Sequence, residues 1–85
     1  MPYTAKLKRS AEKELDNLPK KIHDKVINIL LSLKENPFPH NFKKLRGREG
    51  YRIRVGDYRI VYTIGESDKN IEVISIAHRK EVYRF

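Results

Sequence analysis

The sequence predicts an α+β fold: a strand, two helices and then a three-stranded antiparallel meander, giving a mostly antiparallel twisted sheet with both helices packed on one face. Three observations carry this prediction. Apolar residues in the first half recur at helical spacing and are punctuated by Pro19 and Pro37. From Tyr51 onward the apolar period changes to two. With 39% hydrophobic residues in a chain of 85, there is enough apolar surface for one small core, so residues 1–85 are read as one domain.

Residues 3–7 form the predicted opening strand. Ser10 is placed to cap a helix over 11–18, which sets Ala11, Leu15 and Leu18 along one side. Pro19 ends that helix and suits the start of the next, because proline is tolerated in a first helical turn. In the second helix Ile22, Val26, Ile29, Leu30 and Leu33 share one face, while Lys20, Lys21, Lys25 and Lys34 stay outside. Asn36-Pro37 closes it, and Pro37 and Pro39 keep the following stretch irregular. Residues 41–50 read as a basic connector holding Lys43, Lys44, Arg46 and Arg48. Three strands follow at 51–55, 58–64 and 71–77, joined by a two-residue turn at Gly56-Asp57 and a longer polar turn over 65–70. No repeat, low-complexity segment or interdomain linker interrupts this order.

Charge narrows the function. Nineteen Lys+Arg against 11 Asp+Glu leave a net charge of +8, which favours polyanionic partners over a neutral substrate. The absence of cysteine excludes disulfides and thiolate zinc sites. The longest apolar run, between Val26 and Leu33, is interrupted by Asn28 and Ser32 and falls far short of a membrane span. The N-terminus lacks the features of a signal peptide. A cytoplasmic protein with no membrane partner is the expectation. His23, His40 and His78 show no metal-ligand spacing, so neither metal nor cofactor is expected.

The hairpin concentrates the charge. If Gly56 and Asp57 are the loop, Val55 opposes Tyr58, Ile53 opposes Ile60 and Tyr51 opposes Tyr62, all on one apolar face. The other face then carries Arg52 opposite Val61 and Arg54 opposite Arg59. Like charges directly across strands destabilise a hairpin. An anion held between them explains the pair, because arginine grips phosphate with a planar bidentate fork. The competing reading is a solvated face with splayed arginines. With Ile74 and Ile76 toward the helices, Ser75, Ala77 and Arg79 join the arginine face. Tyr83 is then within reach as a stacking platform, or it packs on the core edge. His78 has the opposite parity and reads as structural unless the strand ends before it.

The segments Ser10-Ala11-Glu12-Lys13-Glu14-Leu15, Tyr51-Arg52-Ile53-Arg54-Val55-Gly56-Asp57-Tyr58-Arg59-Ile60-Val61-Tyr62 and Ile76-Ala77-His78-Arg79-Lys80-Glu81-Val82-Tyr83, in this order and spacing, resemble the RelE/ParE superfamily of bacterial and archaeal toxins, and within it the RelE-type messenger-RNA interferases. The resemblance implies a RelE-like fold and the toxin of a type II toxin–antitoxin system. It implies a ribosome-dependent, metal-independent endoribonuclease that cleaves messenger RNA in the A site, the ribose 2′-hydroxyl attacking the adjacent phosphate. Arg52 and Arg54 then match two basic positions of the first hairpin strand. Arg59 matches the phosphate-binding arginine, Arg79 the general-acid or leaving-group arginine, and Tyr83 the substrate-orienting tyrosine.

The family also implies partners: a RelB-like antitoxin, the ribosome with its messenger, and operator DNA reached only through the antitoxin. Lys43, Lys44, Arg46 and Arg48 are expected to contact RNA phosphates. Relatives carry lysine, assigned as general base, where Arg54 stands, and arginine is a poor proton acceptor. Arg54 then only stabilises charge, or another group such as His78 takes the proton, or the enzyme is slow; the first is preferred. The alternative activity is that of a ParE-like toxin, inhibiting DNA gyrase without cutting RNA. A third is a non-catalytic nucleic-acid-binding module.

Overall fold

A tight turn sets the register of the central hairpin. Gly56 takes a φ of 60° while Asp57 stays outside the left-handed region, as in a type II′ turn with glycine first. That turn joins strand β3 (Tyr51–Val55) to strand β4 (Tyr58–Gly65) in the computed structural model, which describes residues 3–39 and 41–78. The remaining elements are β1 (Thr4–Leu7), α1 (Arg9–Asp16), α2 (Lys20–Glu35), β2 (Lys43–Lys44) and β5 (Asn70–His78). The strands form one five-stranded sheet in the order β1-β5-β4-β3-β2, with β1 parallel to β5 and every other pair antiparallel. Two helices on one face of a mixed sheet is the predicted α+β class, extended by the short edge strand β2. Among the described residues no helix is long and apolar enough to cross a membrane.

The expected hairpin register holds: Val55 pairs with Tyr58, Ile53 with Ile60, Tyr51 with Tyr62 and Arg54 with Arg59. Alternation then sends Ile53, Val55, Ile60 and Tyr62 into a core shared with Ala11 and Leu15 of α1 and with Val26, Leu30 and Leu33 of α2. Strand β5 breaks the alternation. Val61 pairs with Ser75 but Tyr62 with Val73, so Ile74 is the extra residue of a β-bulge. The bulge reverses side-chain parity along the strand. Ile71 and Val73 before it and Ile76 after it are all core residues, whereas Ile74 is only half-buried. The expectation that Ile74 and Ile76 share the helix side is therefore corrected for Ile74, while Ser75 and Ala77 fall on the arginine side.

The helix boundaries also shift. The Lys8 N–H still donates to the Val73 carbonyl at 3.0 Å, so strand contact runs into the residue that caps α1. Ser10 is left inside the first turn and forms no side-chain cap. At the other end α1 stops at Asp16, where the Asn17 side-chain amide donates to the Lys13 carbonyl at 2.9 Å. Leu18 closes a tighter turn onto Leu15 and still packs on the core. Pro19 is the N-cap of α2, and its carbonyl accepts from the His23 N–H at 2.8 Å.

Past Val73, β5 runs beyond its partner β1, and α1 guards the exposed edge. The Glu14 carboxylate accepts the Ile76 N–H at 2.9 Å and the Ser75 hydroxyl at 3.3 Å. Replacing Glu14 with alanine leaves that N–H without its acceptor and should cost about 1–3 kcal/mol. Glu14→Gln, which keeps the oxygen, should retain most of the stability. Urea midpoints of the two variants check this, and an alanine variant as stable as wild type contradicts it.

The segment between α2 and β3 is anchored rather than loose. The fully buried Tyr62 hydroxyl donates to the Pro37 carbonyl at 3.0 Å. Burial raises the Tyr62 pKa well above the ordinary phenol value, so the group remains a donor. The Phe42 ring lies 5.3 Å from that of Tyr51 and 5.8 Å from that of Phe38. At the far end of the loop Gly50 has a φ of 129°, and a Cβ there would meet the Tyr62 carbonyl at 3.3 Å, so the chain can enter β3 here only as glycine.

Candidate nucleic-acid interface

The sheet face opposite the helices presents its charge in two rows. One row runs Lys43, Arg52, Val61, Ser75 from β2 to β5, and the next runs Arg54, Arg59, Ala77. Pairing puts Arg54 and Arg59 directly opposite each other, the unfavourable contact the sequence implies. Ala77 on the far side of Arg59 supplies only a methyl group and leaves room for the longer side chain. Arg59 is 7% exposed, although a guanidinium seldom lies that deep without partners. Its Nη1 donates to the Tyr58 carbonyl at 3.3 Å. Arg52 is half-buried and Arg54 exposed, so the arginines grade from the floor of the surface to its rim.

These side chains converge. Arg52, Arg54 and Arg59 line one cleft of about 380 Å³ together with Lys43 and Asn41. Four cations and one amide, with no carboxylate among the described lining residues, favour an anion of more than one charge. Three guanidiniums can grip separate oxygens of a single phosphate, and Lys43 adds a point charge at the edge strand.

The other candidate residues distribute differently. Lys44 opposes Tyr51 in the sheet and borders an adjoining groove with Lys6, Thr63 and Glu72 rather than the arginine cleft. Arg46 and Arg48 are exposed in the loop between β2 and β3 and do not line the cleft. His78 pairs with Tyr58 across the ladder, and its ring packs edge-on to the Tyr58 ring with centroids 5.4 Å apart. It lines a hollow with Lys13, Asn17 and Leu18 of the α1 end, on the opposite side of the sheet from the arginines. The structure therefore does not bring His78 to the cleft. Arg79 and Tyr83 lie outside the described residues. Asn41, undistinguished within the basic connector of residues 41–50, is the further residue that lines the cleft. It sits in a turn just before β2, and no local periodicity marks it.

Residues 5–83 match the family described as the ParE toxin of type II toxin-antitoxin system, parDE. The chain is 36% identical over 86 residues to Toxin RelE of Mycobacterium tuberculosis, a match that covers 98% of this chain and 88% of that toxin. It is similar to the archaeal RelE-RelB complex from Pyrococcus horikoshii OT3, with a TM-score of 0.83, 30% identity and coverage of 93% of this chain and 97% of that one. A comparable likeness joins it to the intact E. coli RelBE toxin-antitoxin complex, with a TM-score of 0.78, 28% identity and coverage of 89% and 95%. The expected RelE-like fold is thus present over nearly the whole described chain. This chain belongs to the RelE/ParE superfamily, the toxins of type II toxin–antitoxin systems.

Proposed function

We propose that the protein is a ribosome-dependent endoribonuclease that cuts messenger RNA in the A site and so stops translation. The observation that carries this reading is the convergence of Lys43, Arg52, Arg54 and Arg59 on one cleft. In the proposed reaction the ribose 2′-oxygen attacks the adjacent phosphorus and the bond from phosphorus to the 5′-oxygen breaks. The products are a 2′,3′-cyclic phosphate and a 5′-hydroxyl. One proton leaves the 2′-oxygen and one is delivered to the 5′-oxygen. Negative charge builds on the non-bridging oxygens, and guanidiniums fixed around them stabilise it most where it is greatest.

Arg59, held on a central strand, is assigned to the phosphate. Arg54 stabilises the same charge from the rim, and Arg52 and Lys43 hold the flanking backbone. Arg79 serves the leaving 5′-oxygen and Tyr83 stacks on a base. Arg54 does not act as the base, because guanidinium keeps its proton. Most of the rate then comes from orientation of the 2′-hydroxyl in the ribosome, with solvent or ribosomal groups accepting the proton. The placement of His78 across the sheet disfavours it as the acceptor.

The proposed partner is an acidic RelB-like antitoxin whose chain covers the arginine face, complementing a net charge of +8. The solved relatives from Pyrococcus horikoshii and E. coli are toxins in complex with RelB. Contact with operator DNA would come through that partner. An antitoxin complex that leaves the cleft open would remove this part of the proposal.

The deciding experiment adds the protein to a purified translation system and maps messenger ends by primer extension. Discrete cuts within codons are expected. Because the grip is by phosphate contacts, cutting at subsaturating toxin should fall with salt, with a log–log slope of about −2 for three neutralised phosphates. Intact messenger together with lost gyrase supercoiling would favour a ParE-type activity instead, the reading suggested by the name of the matching family.

A further inference from the structure

We infer that Asn41 reads a base edge beside the phosphate held in the arginine cleft, and so gives the proposed nuclease a preference for adenine at that position. The inference rests on the nuclease reading and adds to it what four cations cannot supply. Lysine and arginine gripping phosphate fix the register of a nucleic acid without regard to sequence. Among the described residues lining the cleft, Asn41 is the only one that offers an acceptor as well as a donor. An asparagine amide pairs with an adjacent donor and acceptor on a base edge, and adenine offers that pair on both its Watson–Crick and its Hoogsteen edge.

Placement supports the role. Asn41 sits in the turn just before β2, and it lines the cleft beside Lys43, the first residue of that strand. Between them Phe42 points the other way, its ring packed against Tyr51 and Phe38 at the edge of the core. The Phe42 N–H donates to the Pro39 carbonyl at 3.1 Å, closing a turn around Asn41, and Tyr62 holds Pro37 from below. A surface asparagine mounted this firmly is pre-organised to discriminate. One on a loose loop would spend its binding energy on becoming ordered.

The test uses the full-length toxin on ribosomes programmed with messengers that differ only in the bases of the A-site codon. For wild type, cutting should be fastest where one particular codon position is adenine. In Asn41→Ala the ratio between adenine and the other bases at that position should fall about tenfold, whatever the change in summed rate. Asn41→Gln, which keeps the amide, should restore part of the ratio. An alanine variant that slows all codons alike and keeps the wild-type ratio would overturn the inference while leaving the nuclease reading intact. If wild type cuts no messenger at all, the nuclease reading falls and this inference with it.

Discussion

Replacing Arg59 with alanine is expected to lower messenger cleavage by about 10²–10³-fold, the loss seen when one preorganised donor to a developing oxyanion is removed. Three features single out Arg59 from the other cations. It sits on β4, with strands on both sides, so its backbone cannot give way. It is 7% exposed, so water screens its charge less than it screens that of the exposed Arg54. It also faces Arg54 across the ladder, a contact that an anion relieves.

The fold should tolerate the change, because removing the charge also removes the repulsion. The loss includes the packed arginine stem and the bond from its guanidinium to the Tyr58 carbonyl. Arg59→Met keeps a stem of similar length without charge and separates the two effects. Both variants should bind the ribosome more weakly and cut poorly while melting as cooperatively as wild type. Arg59→Lys should recover only part of the rate, since an ammonium cannot form the bidentate fork. A methionine variant that cuts at the wild-type rate would remove the cleft from the mechanism.

The arginine pair was visible in the sequence because a two-residue turn leaves little freedom. Once Gly56 and Asp57 are the loop, every partner from Tyr51 to Tyr62 is determined, and the structure keeps all five pairs. The second helix was legible for a similar reason, as its apolar stripe spans Ile22 to Leu33 between two prolines. What could not be read depends on tertiary contacts with no local signature. A bulge at Ile74 costs no unusual residue, so period-two reading passes straight through it. Strand β2 is two residues long, too short for any periodicity, and exists because Lys43 and Lys44 find β3. Ser10 has the right chemistry for a cap, but the reach of β5 to Lys8 starts the helix before it. Asn41 reaches the arginines from the turn before β2, and polarity alone does not announce it.

Tyr62 links the stability of the fold to the geometry of the cleft, and its two substitutions should separate those contributions. The ring is fully buried among core residues, so Tyr62→Ala should cost about 3–5 kcal/mol through the lost contacts and the cavity left behind. A chain of 85 residues has a total stability of about 4–13 kcal/mol, so this variant should lose from about a quarter to all of it. Tyr62→Phe keeps the ring and removes only the hydroxyl that donates to Pro37, leaving a carbonyl without its partner. Its expected cost is about 1–3 kcal/mol. In a domain of this size each kcal/mol lowers the melting temperature by about 4–8 °C. Pro37 lies four residues before Asn41, and the same aromatic cluster holds the chain between them. The phenylalanine variant should therefore fold, keep its arginines in register, and lose codon discrimination before it loses cutting. Calorimetry beside the codon-resolved cleavage assay measures both. A Tyr62→Phe protein with an unchanged melting temperature would show that the Pro37 bond does not hold the connector. An unchanged codon ratio in a destabilised variant would show that the connector keeps Asn41 in place without it.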